Sequence, residues 1–230
     1  MREEIMPKLT YFGHSAFLVE HNNYKILIDP FITGNPLAPV KADDLTADFI
    51  VLSHAHGDHF GDTLDIAKRC NSTVIAVNEL ANYVASKGAK AHNMHIGGSY
   101  EFPFGRVKFT IAHHGSSSNE GEYMGEPAGI LLFLDGKVLY HAGDTGLFAD
   151  MKLIGELHKI NVALLPIGDN FTMGMNDALK AVELLNPELT IPMHYNTFPV
   201  IKADPDKFVE MVKALGKNAR KLEFGETFEF

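Results

Sequence analysis

The sequence contains a single cysteine, Cys70, so an intramolecular disulfide is excluded. No run of residues approaches the roughly 18 consecutive apolar residues that a membrane-spanning helix needs. The first eight residues lack the apolar core of a secretory signal peptide. A chain without disulfides or an export signal is typical of the reducing cytoplasm. We therefore expect a cytoplasmic protein that does not associate with a membrane.

Basic residues are the minority among the charged ones. The chain has 20 Lys and Arg against 29 Asp and Glu, which gives a net charge of −9 with neutral His. A protein that binds nucleic acid through its phosphates presents a basic surface, so no nucleic-acid partner is expected.

Linkers are also absent. No low-complexity or proline- and serine-rich segment divides the 230 residues, which suffice for one substantial core. We predict a single domain over residues 1–230, made of two similar halves. Hydrophobic patterning predicts strands at 9–12, 16–20, 25–28, 48–53, 73–77, 107–112, 129–134, 137–140, 162–166 and 189–193, and helices at 62–70, 79–87, 150–158, 176–185 and 205–215. Buried sheets with helices outside, in two halves, predict an α/β fold with four layers, an αββα sandwich.

The most informative segment contains His54, His56, Asp58 and His59, directly after an apolar run. Neutral imidazoles and carboxylates are the ligands that borderline divalent metals such as zinc select. Four such groups would carry a large desolvation cost if they were buried without a metal. Gly57 is expected to allow a sharp turn that directs Asp58 and His59 into a second, adjacent pocket. One short loop could therefore contribute to two metal sites.

Three further places in the sequence offer metal ligands, each after a predicted strand. They are the adjacent pair His113 and His114, then Asp144 within Gly-Asp-Thr, and finally His194. Functional side chains on loops that follow separate strands can meet at one edge of a sheet. These residues are therefore candidates to complete a site that begins at His54.

The ordered set of these motifs resembles the metallo-β-lactamase superfamily of hydrolases, and this resemblance implies the metallo-β-lactamase fold. A narrower resemblance, to the UPF0173 metal-dependent hydrolases, extends over essentially the whole chain. These proteins are related to the ascorbate-6-phosphate lactonase branch. The narrower resemblance is carried by segments 13–15 (Gly-His-Ser), 28–31 (Ile-Asp-Pro-Phe), 95–98 (His-Ile-Gly-Gly), 166–168 (Pro-Ile-Gly) and 192–195 (Pro-Met-His-Tyr).

The resemblance implies two groups of metal ligands. One ion would be held by His54, His56 and the His of the third motif, and the other by Asp58, His59 and His194. Asp144 would bridge the two ions and neutralise charge between them. The implied cofactor is therefore a pair of divalent ions. Two such ions would concentrate positive charge at one place, so the expected partner is a small-molecule substrate, and we predict that it is anionic. Zinc is favoured, and manganese, nickel and iron are alternatives that accept the same ligands.

The third motif leaves two candidates, because His113 and His114 are adjacent. In the related motif the His lies two residues after an Ala, which here corresponds to His114. Neighbouring strand residues point to opposite sides, so both rings cannot readily bind the same ion. We predict His114 as the ligand, with His113 packed on the other face or lining the pocket.

Two residues are candidates for a direct catalytic role. Asp58 is expected to bind metal and to help accept the proton of the attacking water. Relatives have a His near the metals where His14 stands, so His14 is expected to orient a ligand or to stabilise developing charge. Asp29 is expected to hydrogen-bond a ligating ring. Weaker candidates for supporting roles are His95, His141 and Asp169.

The resemblance implies metal-dependent hydrolysis, in which a hydroxide that bridges the two ions attacks an ester or lactone, including those of phosphorylated small molecules. Oxygen-reducing diiron members of the superfamily typically carry Glu where His56 stands, so His56 favours hydrolysis. Phosphodiester hydrolysis at the same binuclear site remains open, as does a non-catalytic metal-binding or regulatory role. The resemblance further implies a homo-oligomer.

Overall fold

The structure, a computed structural model, describes residues 6–230. The predicted lack of an export signal depends largely on residues 1–5, which lie outside the described residues. Among residues 6–230, no helix is long and apolar enough to cross a lipid bilayer.

The strands are short, and most coincide with the predicted ones. They are β1 (Lys8–Tyr11), β2 (Phe17–His21), β3 (Tyr24–Ile28), β4 (Phe49–Val51), β5 (Thr73–Val77), β6 (Lys90–Met94), β7 (Ser99–Phe102), β8 (Gly105–Ile111), β9 (Ala128–Leu134), β10 (Lys137–His141), β11 (Val162–Pro166), β12 (Leu189–Met193) and β13 (Thr227–Glu229). Strand β11 is buried at every position, as expected for a strand covered on both faces.

Helices follow most of the parallel strands. They are α1 (Gly57–Phe60), α2 (Thr63–Cys70), α3 (Asn78–Ser86), α4 (Met151–Leu157), α5 (Met175–Leu185) and α6 (Pro205–Ala214). Helix α6 begins where its sequence predicts, because the Asp204 side chain accepts hydrogen bonds from the backbone N–H groups of Asp206 and Lys207. Pro205 suits the first turn, where its missing N–H leaves no hydrogen bond unmade.

The strands form two sheets, with the order β13-β1-β2-β3-β4-β5-β6 in one and β12-β11-β10-β9-β8-β7 in the other. Buried apolar side chains from both sheets and from the inner faces of the helices join one core. The predicted α/β fold with two sheets and outer helices is therefore confirmed.

Strand direction determines where the candidate ligands meet. In the first sheet, β3, β4, β5 and β6 are parallel. In the second sheet, β10, β11 and β12 are parallel, and β9 is antiparallel to both β8 and β10. Strands β8, β10 and β12 therefore run in one direction, so the segments that follow them emerge at the same edge of the sheet.

Strands β6, β7 and β13 were not predicted. Strand β6 reads Lys-Ala-His-Asn-Met, and only Met94 in it is buried. Strands β7 and β13 are also mostly exposed. All three lie at sheet edges, where few apolar residues are needed, so they lack the hydrophobic pattern on which strand prediction depends.

Candidate metal centre

The loop after β4 carries four of the candidate ligands, and one expectation about it is wrong. Gly57 does not make a glycine-specific turn, because it is absent from the glycines with positive φ. It is the first residue of the single helical turn α1, which sets the directions of Asp58 and His59. A side chain at position 57 would place its Cβ 2.8 Å from Asn119 Oδ1. Gly57 is therefore suited to a close approach of two loops.

The first group of ligands consists of His54, His56 and His114. One ring nitrogen from each lies within 4.8 Å of the others, and His54 Nε2 is 3.0 Å from His56 Nδ1. Burial lowers the pKa of all three imidazoles, most strongly that of His54. The rings are therefore neutral at neutral pH, which is the form that binds metal.

The second group consists of Asp58, His59 and His194, together with His14, and their ligand atoms also lie within 4.8 Å of one another. His194 follows β12 directly and has a left-handed backbone, with φ of 55°. His14 likewise has a positive φ, 56°, and its carbonyl accepts a 2.7 Å hydrogen bond from the His194 N–H. Such backbone conformations are uncommon for residues other than glycine and cluster at functional sites.

Asp144 lies between the two groups. Its Oδ2 is 3.0 Å from His194 Nε2 and 3.6 Å from His114 Nε2, and its Oδ1 is 3.1 Å from His59 Nε2. One carboxylate thus faces ligands of both groups. This is the place that the resemblance implies for a residue that bridges two ions.

The donor atoms in this centre fit a cation. His59 Nε2, Asp144 Oδ1 and His194 Nε2 are buried, and none makes a hydrogen bond of good geometry among the described residues, although both ring nitrogens lie within 3.1 Å of the Asp144 carboxylate. Burial alone would raise the pKa of Asp144, but His194 and His59 hold it well below its ordinary value, so the group is a carboxylate. Buried polar atoms without partners are costly. A divalent ion would satisfy all three atoms, so the residues present suit a metal.

His113 and His114 occupy different environments. The His114 ring is half-buried and faces Asp144. The His113 side chain is exposed and packs edge-on against Phe148, 5.1 Å between ring centroids, while its backbone N–H donates to Thr145 Oγ1. Only His114 is thus brought into the centre.

Asp29 orients rings from both groups. Its buried carboxylate accepts a 2.8 Å hydrogen bond from His59 Nδ1, as well as hydrogen bonds from the Ser53 N–H and Oγ–H. The Ser53 hydroxyl oxygen lies 2.9 Å from His54 Nδ1 and can accept its proton. Asp29 therefore holds His59 directly and His54 through Ser53, with Nε2 of both rings left for metal. The role of Ser53 was not predicted from the sequence. The one available signal was its position directly before His54.

The three weaker candidates lie in different environments in the structure. His141 is buried, accepts from the Gly143 N–H at 3.1 Å and donates from Nε2 to the Ser15 carbonyl at 3.0 Å. It thus connects the loop that carries Asp144 to the turn that carries His14. His95 and Asp169 are exposed and contribute no atom to the groups of candidate ligands.

Comparison with known proteins identifies the family. Residues 24–195 match the family described as "Beta-lactamase superfamily domain". A "UPF0173 metal-dependent hydrolase" of Anoxybacillus flavithermus is 54% identical over 226 residues, which cover 96% of this chain and 99% of that protein. The chain belongs to the UPF0173 metal-dependent hydrolases. Another UPF0173 hydrolase, from Carboxydothermus hydrogenoformans, is 54% identical over 221 residues and covers 95% and 98% of the two chains.

A solved structure supports the same assignment for this UPF0173 hydrolase. The novel metallo hydrolase Igni18 of the hyperthermophilic archaeon Ignicoccus hospitalis superposes with a TM-score of 0.91 at 44% sequence identity. The alignment covers 98% of this chain and 99% of Igni18. The predicted family and fold are therefore confirmed, and the chain is a metal-dependent hydrolase with a candidate His and Asp metal centre.

The adjacent histidines of this UPF0173 hydrolase provide a matched test of the centre. His114→Ala is expected to lower kcat/KM roughly 100-fold, because it removes a ring that faces Asp144 and metal is then held less firmly. His113→Ala is expected to change kcat/KM less than about threefold, since an exposed ring away from the centre is lost. Steady-state kinetics and elemental analysis of both variants check this. Equal losses in the two variants would contradict the assignment of His114.

Proposed function

We propose that this protein is a binuclear metal-dependent hydrolase that attacks the carbonyl carbon of an ester or lactone. The observation that supports the proposal is the convergence of two ligand groups on the two sides of Asp144, with unpartnered buried atoms of Asp144, His59 and His194 directed into the centre. A single ion would leave one of the two groups without a role.

The residues divide into two sets around the shared carboxylate. One ion is assigned to His54, His56 and His114, and the other to Asp58, His59 and His194, with Asp144 as ligand to both. We favour zinc, with manganese, nickel and iron as ions that the same ligands accept. Because Asp29 and Ser53 fix the rings of His59 and His54, these two rings need little reorganisation when metal binds.

When bound, divalent ions polarise a substrate oxygen and lower the pKa of water toward neutrality. The chain contributes Asp58, which is half-buried and lies at the second group, as an acceptor for the proton that water loses. The carboxylate of Asp144 stays ionised and offsets the positive charge of the ions. No Ser or Cys nucleophile is required in this scheme, because water supplies the attacking oxygen.

The substrate is proposed to be a small anionic molecule, since two cations at one place attract negative charge. We further propose that the enzyme forms a homo-oligomer and acts in the cytoplasm without a nucleic-acid or membrane partner. We favour hydrolysis over oxygen reduction because His56 occupies the position at which oxygen-reducing relatives carry Glu.

A substrate panel combined with elemental analysis tests this function. Protein loaded with zinc, manganese, nickel or iron is assayed on chromogenic esters, on several lactones with and without a phosphate group, and on a phosphodiester. We expect two metal equivalents and turnover of an ester or lactone. Turnover of the phosphodiester alone would replace the proposed reaction. No turnover of any substrate by protein that holds two ions would favour a non-catalytic metal-binding role.

A further inference from the structure

His14 belongs to the second group of close ligand atoms, but the proposed assignment of the two ions gives it no role. Its side chain is fully buried, although the residue lies in the turn between β1 and β2. Its Nε2 lies 3.2 Å from Asp58 Oδ2, and its ring centroid lies 4.0 Å from that of His194. His14 therefore reaches the second group from a strand pair that supplies none of the other ligands.

The other ring nitrogen of His14 has a partner that permits a tautomer suited to metal binding. His14 Nδ1 is 2.8 Å from Thr197 Oγ1, and the same hydroxyl lies 3.4 Å from the carbonyl oxygen of Tyr195. Thr197 has one hydroxyl hydrogen, which cannot serve both a lone pair on Nδ1 and the carbonyl oxygen. Both contacts are satisfied if Thr197 donates to Tyr195 and accepts from His14 Nδ1–H.

This tautomer leaves a lone pair on His14 Nε2, directed at a carboxylate. Nitrogen and oxygen lone pairs that face each other at 3.2 Å repel, so this tautomer requires a cation between them; without a metal, Nε2–H can donate to Asp58 instead. His59 has the same arrangement, because its Nδ1 bonds to Asp29 while its Nε2 lies 3.1 Å from Asp144 Oδ1. In both rings, one nitrogen is held by a hydrogen bond, as in most metal-binding histidines, and the other faces a carboxylate.

We propose that His14 Nε2 is a direct ligand of the second ion, in addition to Asp58, His59, His194 and Asp144. The assignment rests on the proposed function, since it requires an ion at that group. It makes the two sites unequal: the first is held by three imidazoles and Asp144, and the second by three imidazoles, Asp58 and Asp144. The second site has more ligands and more negative charge, so it should hold its ion more tightly.

The backbone around His14 supports a fixed position for this ring. The His14 carbonyl accepts hydrogen bonds from the His194 N–H at 2.7 Å and from the Tyr11 hydroxyl at 3.0 Å. The left-handed conformation at His14 is thus held from two sides. Because His194 is itself a candidate ligand, this backbone hydrogen bond ties the positions of the two rings together.

The test uses His14→Asn, because Asn tolerates a positive φ and can still bond to Thr197 but has no atom at the Nε2 position. Compared with wild-type protein that holds two ions, His14→Asn is expected to bind the second ion about 10- to 100-fold more weakly. The first ion should be unaffected. His95→Ala, which removes an exposed ring outside both groups, is the control and should bind both ions as the wild type does. Chelator competition followed by elemental analysis gives the affinities.

Nitrogen NMR of ¹⁵N-histidine-labelled protein separates a ligand from a hydrogen-bond partner. When zinc is added to the metal-free wild type, the His14 Nε2 resonance should move to the metal-bound position while Nδ1 stays protonated. A resonance that stays in place in protein that has bound two equivalents of zinc would overturn the assignment. Elemental analysis tests the proposed function separately: a wild type that holds one ion contradicts the binuclear proposal, even if His14 binds that ion.

Discussion

Asp144→Asn is expected to lower kcat/KM by roughly 1,000-fold or more and to weaken metal binding in both ligand groups. Loss of a residue that merely orients a ligand already costs about 10- to 100-fold in metal affinity or activity, and Asp144 faces ligands of both groups directly. Asn has the same size but no negative charge, so two cations close together would lack the carboxylate that offsets their charge.

The measurement for Asp144→Asn is metal content after desalting, combined with steady-state kinetics. The matched control is Asp150→Asn, a change of the same kind at an exposed position at the start of α4, where the side chain makes no capping hydrogen bond. We expect the control to retain the wild-type metal content and activity. Two full equivalents of metal in Asp144→Asn would show that Asp144 does not hold both ions.

Asp29→Ala is expected to have the second large effect, on both stability and metal binding. The substitution leaves the His59 Nδ1–H, the Ser53 N–H and the Ser53 hydroxyl without their buried acceptor. Removal of one partner from a buried charged network costs about 3–5 kcal/mol. Metal affinity should fall about 10- to 100-fold, because two ligating rings lose their orientation.

Urea unfolding of the metal-free protein and a metal titration check this expectation separately. Asp29→Asn should lose less stability than Asp29→Ala, since Asn keeps one acceptor and tolerates the φ of 44°. Asp48→Ala is the control: the Asp48 carboxylate also accepts a backbone N–H, from Lys25, but in an exposed position, and its loss should cost about 1 kcal/mol. Equal losses for Asp29→Ala and Asp48→Ala would contradict the orienting role of Asp29.

The residue types of the candidate centre and their order along the chain were predictable from the sequence. Asp144 and His194 were recognisable because each follows a strand and belongs to a motif. The choice of His114 over His113 depended on resemblance and on the alternation of side chains along a strand. In the structure, the ring of His114 faces Asp144, whereas the ring of His113 packs against Phe148.

Other features depended on contacts between distant segments. Ser53 could not be assigned a role, because its hydroxyl acquires one only when Asp29 lies beside it. Thr197 was missed for the same reason, since its partner His14 is 183 residues away in the chain. The function of Gly57 was misjudged because the constraint on it comes from Asn119 in another loop. Local patterns carry no information about such neighbours.

The sequence alone determined the type of chemistry, the family and most of the strands and helices, because ligand types, short spacings and hydrophobic periodicity are properties of contiguous residues. Only the tertiary structure decided which atoms meet. Parallel strands delivered separate segments to one edge, so that Asp144 came to lie between two ligand groups and His14 came to lie beside Asp58. Proximity of that kind is set by strand order and backbone conformation over the whole chain, which no single segment encodes.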